Sequence, residues 1–362
     1  IKTIAIFLLI LLAASCIKEV DLYKGGSLRE PAYLYPFDQE NKNVTAEITI
    51  KTNSTINLEL LDVYFAPLKY NKHLLIMLTQ DDCKPSIYPR TWASINGKPL
   101  SGQYYYHYEQ LKQDDLPPDI YYLGKTLGCT DGTGKEVRFS FTLVADDNYM
   151  AEESIINLGY SKDNYRFYGR NGILWEDVID IVNYGNSIAF HNVNTKEIHN
   201  IDSIQKHYLI GQDSIQKRLS GRKCKTLSEP DGNIDYTTAA INLDDIKTIT
   251  AEGGEKVYPF HNLTNLENHT LNRVFHDSPD DFKQVIEQER SIPTVDRCAI
   301  NIGVHSTDAF WTDFLLWLND TYGKDGEDCI WMPSQEEYYE YNYYRMHGKI
   351  EKSANGSTLK LI

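Results

Sequence analysis

The sequence predicts an α/β fold built on a parallel sheet, and three short apolar runs carry that prediction. Leu74-Leu75-Ile76-Met77-Leu78-Thr79 runs into Asp81-Asp82, Ser187-Ile188-Ala189-Phe190 into His191, and Ala299-Ile300-Asn301-Ile302-Gly303-Val304 into His305. A brief, near-continuous apolar run is how a strand buried on both faces reads, and such strands belong to parallel sheets. Strand–helix alternation through the second half implies βα units. In such sheets and barrels, residues just past the strands' carboxyl ends line the active crevice. Two adjacent carboxylates and two imidazoles delivered there are the parts of a metal-assisted hydrolase.

Taken in order, the chain opens on a targeting segment. Lys2 precedes the apolar stretch Ile4 to Leu12, and Ala13-Ala14-Ser15 lead to Cys16. The stretch is too short to span a bilayer as a helix. Basic, apolar and small residues in that order form a secretory signal. Cys16 directly behind it resembles the lipobox of bacterial lipoproteins, which implies a lipid-modified Cys16 and residues 1–16 as signal peptide. Lys18-Glu19-Val20-Asp21 resembles the surface-export signals of Bacteroidota lipoproteins. The implied location is the cell envelope, lipid-anchored to the outer membrane and surface-exposed, with the lipid as the sole membrane contact.

Residues 17–69 read as a tether followed by a β extension. The part to about residue 44 is polar and irregular, with Gly25-Gly26 and prolines. Alternation then appears at Val44, Ala46, Ile48 and Ile50, and again at Ile56, Leu58 and Leu60. Two such runs separated by Lys51-Thr52-Asn53-Ser54 predict a β-hairpin. Residues 70–350 hold the main domain, interrupted by an insertion over 84–160 that is rich in Gly, Pro and Tyr. The insertion ends in a predicted strand, Glu136 to Thr142, and contains Tyr104-Tyr105-Tyr106-His107-Tyr108. These tyrosines suit either sugar stacking or edge-strand packing.

Helix signals follow. Trp175, Val178, Ile179 and Val182 mark an amphipathic helix. Ser278-Pro279-Asp280-Asp281 is an N-cap with proline at the first helical position, opening a helix to about Gln288. Phe310, Phe314, Leu315 and Leu318 define another, and Ser334-Gln335-Glu336-Glu337 is a capping box opening a Tyr-rich helix through Tyr344. The stripe on that last helix reads as core packing. Residues 351–362 read as the start of a truncated β segment.

Composition bounds the function. Hydrophobic residues are 41% and charged residues 24% of the 362, which allows a sizeable core. A net charge of -15 argues against a nucleic-acid partner, because phosphate binding needs a basic surface. Beyond Cys16, the cysteines are Cys83, Cys129, Cys224, Cys298 and Cys329. Their odd number means they cannot all pair, and the lack of CxxC spacing excludes a zinc ribbon. An exported protein leaves room for one or two disulfides, with the rest as buried small hydrophobes.

At Thr79-Gln80-Asp81-Asp82 the sequence resembles the Thr-Phe-Asp-Asp motif of polysaccharide deacetylases, the NodB-homology domains of carbohydrate esterase family 4. The resemblance implies a distorted (β/α) barrel, with Asp81 as general base and Asp82 as metal ligand. Gly185-Asn186-Ser187-Ile188-Ala189-Phe190-His191 resembles the family's Gly-x-x-Ile-x-x-His, which implies His191 as a second ligand. The family's next His falls on Thr195, with Asn194 before it. A hydroxyl is a poor zinc ligand, and His199 substitutes only if a helix begins at once. Leu227-Ser228-Glu229-Pro230-Asp231-Gly232 stands where the family has Arg-Pro-Pro-Tyr-Gly. Ser228 falls at the base-orienting Arg, and Arg222 upstream is a replacement the sequence offers. His305 resembles the terminal-motif His that protonates the leaving group.

The sequence therefore predicts a divergent polysaccharide deacetylase in a bacterial lipoprotein. It would be a hydrolase that uses a divalent metal, expected to be zinc, to remove acetyl groups from a glycan at the cell envelope. The alternative is a catalytically degenerate, deacetylase-like glycan-binding lipoprotein, favoured by the missing His and Arg. The expected partner is an acetylated glycan, with no nucleic acid.

Overall fold

Eight parallel strands organise the molecule: β1 (Leu74–Gln80), β2 (Thr142–Val144), β3 (Ser187–Phe190), β4 (Thr226–Ser228), β5 (Thr248–Ala251), β6 (Thr270–Asn272), β7 (Ile300–Val304) and β8 (Ile330–Trp331). The structure is a computed structural model describing residues 45–150, 160, 172–191, 198–261, 266 and 269–362. Cys16, the tether to residue 44, and Asn194 and Thr195 lie outside the described residues. The sheet order is β6-β5-β4-β3-β2-β1-β7, with β8 on the first two residues of β1. Past β6, Val274 bridges Ile302 of β7: its N–H donates to the Asn301 carbonyl at 2.9 Å, and its carbonyl accepts from Gly303 at 2.8 Å. The two ends of the curled sheet thus meet, giving the distorted barrel the sequence implied.

Alternation along each strand sorts the core. Leu74, Ile76 and Leu78 of β1 join the large cluster packed against the helices, with Leu227, Ile249, Ile300 and Ile302. Leu75 and Met77, of the opposite parity, join a smaller cluster with Leu271, Trp331 and Tyr338. Successive strand side chains point to opposite faces, so Asp81 continues the Leu75–Met77 parity. Ser228, Arg273 and His305 likewise stand opposite in parity to their strands' helix-facing residues.

Helices α1 (Trp175–Val182), α2 (Ile201–Arg218), α3 (Ile234–Ile241), α4 (Pro279–Ser291), α5 (Ala309–Thr321) and α6 (Gln335–His347) cover the sheet. The caps behave as read. Ser278 accepts from the Asp280 N–H and Ser334 from the Glu337 N–H, satisfying donors that a helix start leaves open. The start of α6 closes the barrel's amino-terminal end. Gln335 donates from its backbone to Thr142 Oγ1 at 2.9 Å and from its side chain to Thr248 Oγ1 at 3.0 Å. Tyr338 and Tyr339 are buried on this helix, as the core reading of its stripe requires.

Two expectations need correction, and one left open is decided in part. The predicted hairpin does not form: Ile48–Lys51 pairs antiparallel with Thr358–Leu361, which also pairs with Lys352–Asn355. Asn57 instead caps a 3-10 turn at Leu58–Leu60 by accepting from the Glu59 N–H, a local bond that competes with a strand ladder. The predicted strand over 136–142 is two elements. Glu136–Arg138 pairs with Gly128–Thr130, and Thr142–Val144 is barrel strand β2. The crossover from β1 to β2 therefore spans residues 81–141, and Ser187–Phe190 is the third barrel strand. Finally, Tyr106 and Tyr108 are 2% and 1% exposed, so these two members of the tyrosine cluster are core. The five cysteines behind Cys16 are free thiols.

Candidate active site

The four residues singled out at strand ends meet at one place, the carboxyl end of the barrel. Asp81 is 1% exposed, and its N–H donates to the Val304 carbonyl at 2.8 Å, tying the ends of β1 and β7 together. The next two residues leave the strand in the left-handed region, Asp82 at φ 60° and Cys83 at φ 50°. Side chains other than Gly seldom adopt that backbone, and such strain gathers at functional sites. Its consequence is geometric. Strict alternation would point Asp82 away from Asp81's face, yet Asp82 Oδ1 lies 3.3 Å from His191 Nε2 and Oδ2 lies 4.0 Å from His305 Nε2.

His191 ends β3 and is buried. Its Nδ1 lies 3.0 Å from the Ser228 carbonyl, which accepts the hydrogen bond of an Nδ1–H and leaves Nε2 to face Asp82. Burial disfavours a charged ring, but Asp81, the Asp82 hydrogen bond and the Ser228 carbonyl outweigh it and raise the His191 pKa. Burial likewise opposes charge on Asp82. The hydrogen bond and charge of His191, with Lys84 and His305, prevail and pull it down to about 2.

An arginine does reach Asp81, from just past a strand the sequence did not reveal. Arg273, one residue past β6, sends Nη1 to both Asp81 oxygens, 2.9 Å to Oδ2 and 3.0 Å to Oδ1. Ser228 Oγ donates to Asp81 Oδ1 at 3.0 Å while accepting from Arg273. Arg273 Nη2 is fixed by the Glu229 carbonyl at 3.1 Å. Ser228, the residue that falls at the family's arginine in the motif comparison, thus hydrogen-bonds Arg273. Arg222 does not reach this site: it pairs with Glu336 of α6 at 3.2 Å, at the barrel's other end. The only available signal for Arg273 was an arginine ending Thr270-Leu271-Asn272, a run too short to announce a strand.

His305 is 56% exposed and stacks on Phe275, ring centroids 5.2 Å apart at 22°. The other neighbour of Phe275 is the Arg273 guanidinium, 4.8 Å from its centroid. Gly303 makes room for this ring, because a Cβ there would collide with Phe275. Gln80 fixes the loop behind His305, donating to the His305 carbonyl and Thr307 Oγ1, each at 3.3 Å.

Asp82 and His191 suit two positions around a divalent cation, one carboxylate oxygen and one imidazole Nε2 oriented by a backbone carbonyl. Among the described residues no group of three or more His, Cys, Asp or Glu is placed to hold a metal. His199 is not a third member: its ring, 70% exposed, pairs with Asp235 at 3.0 Å.

No curated protein matches this sequence. The sequence pattern of the family described as "Putative polysaccharide deacetylase" matches residues 46–362. That span takes in the barrel and every site residue above, and the chain belongs to this polysaccharide deacetylase family.

Proposed function

We propose that the protein is a metal-dependent hydrolase that removes acetyl groups from a glycan at the cell envelope. The observation that carries this reading is Asp81, clamped by Arg273 and Ser228 directly beside the Asp82–His191 pair. Asp81 acts as general base and takes the proton of the attacking water. Arg273 and Ser228 hold its carboxylate in one orientation, which preserves near-attack geometry. Asp82 and His191 are the residues that would hold the cation. A bound divalent ion, zinc by the mixed oxygen and nitrogen donors, supplies Lewis acidity for the acetyl carbonyl and lowers the pKa of water. His305, exposed at the rim with Phe275 behind it, gives its proton to the departing amine or alcohol. The envelope location rests on the signal-like order ending at Cys16, and replacing Cys16 with Ala should release the protein from membranes.

Acetate release from acetylated glycans by zinc-loaded protein tests the chemistry. Losing a general base costs about a hundred-fold or more, so Asp81→Asn should abolish turnover while calorimetric zinc binding persists. His191→Ala should weaken zinc binding itself. A second reading, a glycan binder without turnover, is favoured by having only Asp82 and His191 as evident ligands among the described residues. Glycan binding with neither zinc binding nor acetate release would establish it.

A further inference from the structure

Arg90 is a buried cation that the chemistry above does not use. It is 4% exposed, and its Nε and Nη1 are buried with no hydrogen-bond partner among the described residues. It sits in a π-helical turn, Tyr88–Trp92, a conformation found often at functional sites. Its neighbour Thr91 ties this turn to the active end of the barrel. Thr91 Oγ1 donates to Gln80 Oε1 at 2.7 Å and lies 3.0 Å from Thr307 Oγ1. Gln80 immediately precedes Asp81, and Thr307 is two residues past His305.

The surroundings of Arg90 are aromatic. Its guanidinium lies 5.8 Å from the Tyr105 centroid. Burial raises the Tyr105 pKa, Arg90 opposes that and Asp308 adds to it, so Tyr105 sits in the fields of both. Asp308 is committed to capping α5, accepting from the Trp311 N–H at 3.3 Å. Tyr121, which also feels Arg90, is 38% exposed. An unpaired charge away from water costs several kcal/mol, and paired geometry is what removes that cost. The planar guanidinium fork matches a carboxylate, which it binds in two parallel hydrogen bonds.

Resting on the deacetylase reading, we propose that Arg90 recognises the carboxylate of a uronic-acid residue in the glycan, with Tyr105 and Tyr121 flanking the sugar ring. The substrate class is therefore an acidic, acetylated polysaccharide rather than a neutral one. Sugar hydroxyls can hydrogen-bond a guanidinium but cannot neutralise it. The overall charge of -15 opposes such a chain only weakly, because salt screens charges farther than roughly 8 Å from the bound segment. On this proposal the part-buried Tyr105 ring swings aside to admit the carboxylate to the guanidinium.

Calorimetry on the full chain tests this without requiring turnover. The probes are an oligogalacturonide, its methyl ester, and sodium acetate. The oligogalacturonide should bind at least ten-fold more tightly than its ester and far more tightly than acetate, and Arg90→Gln should cost about ten- to hundred-fold, the range of a charged hydrogen bond. Arg90→Met should keep or raise the melting temperature, because it removes an unpaired buried charge. Equal affinity for oligogalacturonide and ester, tightest binding of acetate alone, or a steep loss of stability in both Arg90 variants would overturn the proposal. Acetate release from neutral glycans without oligogalacturonide binding would leave the deacetylase reading standing and end this one. Arg90-dependent binding with no acetate release from any glycan would do the reverse.

Discussion

The barrel carries a buried arginine–carboxylate pair at each end, and the two pairs do different work. At the amino-terminal end Arg222 meets Glu336 at 3.2 Å, Lys225 lies 3.6 Å from Glu336 and 3.0 Å from Glu340, and Lys69 meets Glu337 at 2.9 Å. Anions and cations alternate there, and the acidic members lie on the regular helix α6. At the carboxyl-terminal end Arg273 answers Asp81, but a second carboxylate follows on strained backbone and faces imidazoles. A buried salt bridge is thus no mark of a site. What distinguishes the carboxyl-terminal end is an acidic group, Asp82, whose nearest partner is an imidazole rather than a permanently charged guanidinium.

Removing one partner of each pair separates the two roles. Glu336→Leu leaves Arg222 buried without its carboxylate, which should cost about 3–5 kcal/mol. Chemical denaturation should show that loss, while acetate release per folded molecule stays at the parent value. A fall in turnover at unchanged stability would erase the contrast. At the other end Arg273→Met frees the Asp81 carboxylate. Turnover should drop about a hundred-fold, matching the loss of an oriented base, with zinc binding by Asp82 and His191 retained. Unaltered kcat would remove Arg273 from the positioning role.

Acid should loosen the crossover between β1 and β2. His107 caps the short helix Tyr108–Gln113 by accepting from the Glu109 N–H at Nδ1, 3.1 Å. Burial pushes its pKa down to about 4, against the pull of Glu109 and Asp115. The unfolded chain, with an ordinary histidine, binds the proton more readily. Stability is therefore full above about pH 6.5 and falls as pH drops toward 4, by roughly 2–3 kcal/mol. Melting curves of the parent and His107→Asn, which keeps a cap but does not titrate, should diverge across that window. Parallel pH profiles would refute the assignment.

The smallest effect concerns the ring between Arg273 and His305. Gly303→Ala should push Phe275 aside at about 1–3 kcal/mol of stability and lower turnover with it. A crystal structure of the variant with Phe275 unmoved would contradict this.

The parallel α/β architecture and the candidate residues were legible because they follow from local pattern. Apolar runs at β1, β3 and β7 end in Asp81-Asp82, His191 and His305, and capping residues at Ser278 and Ser334 need nothing beyond their own helices. Strands β2, β4 and β6 were missed or unrecognised because each has three residues, below the length at which periodicity shows. The terminal β sheet was misread because strand partners are chosen by distant chain, here Thr358–Leu361. Arg273 was invisible for the same reason: a guanidinium 192 positions from Asp81 is brought to it only by barrel closure. Sequence alone determined which groups stand at strand ends. The tertiary structure decided which arginine answers Asp81, because a charge buried away from water must find its partner in space, wherever that partner lies in the chain.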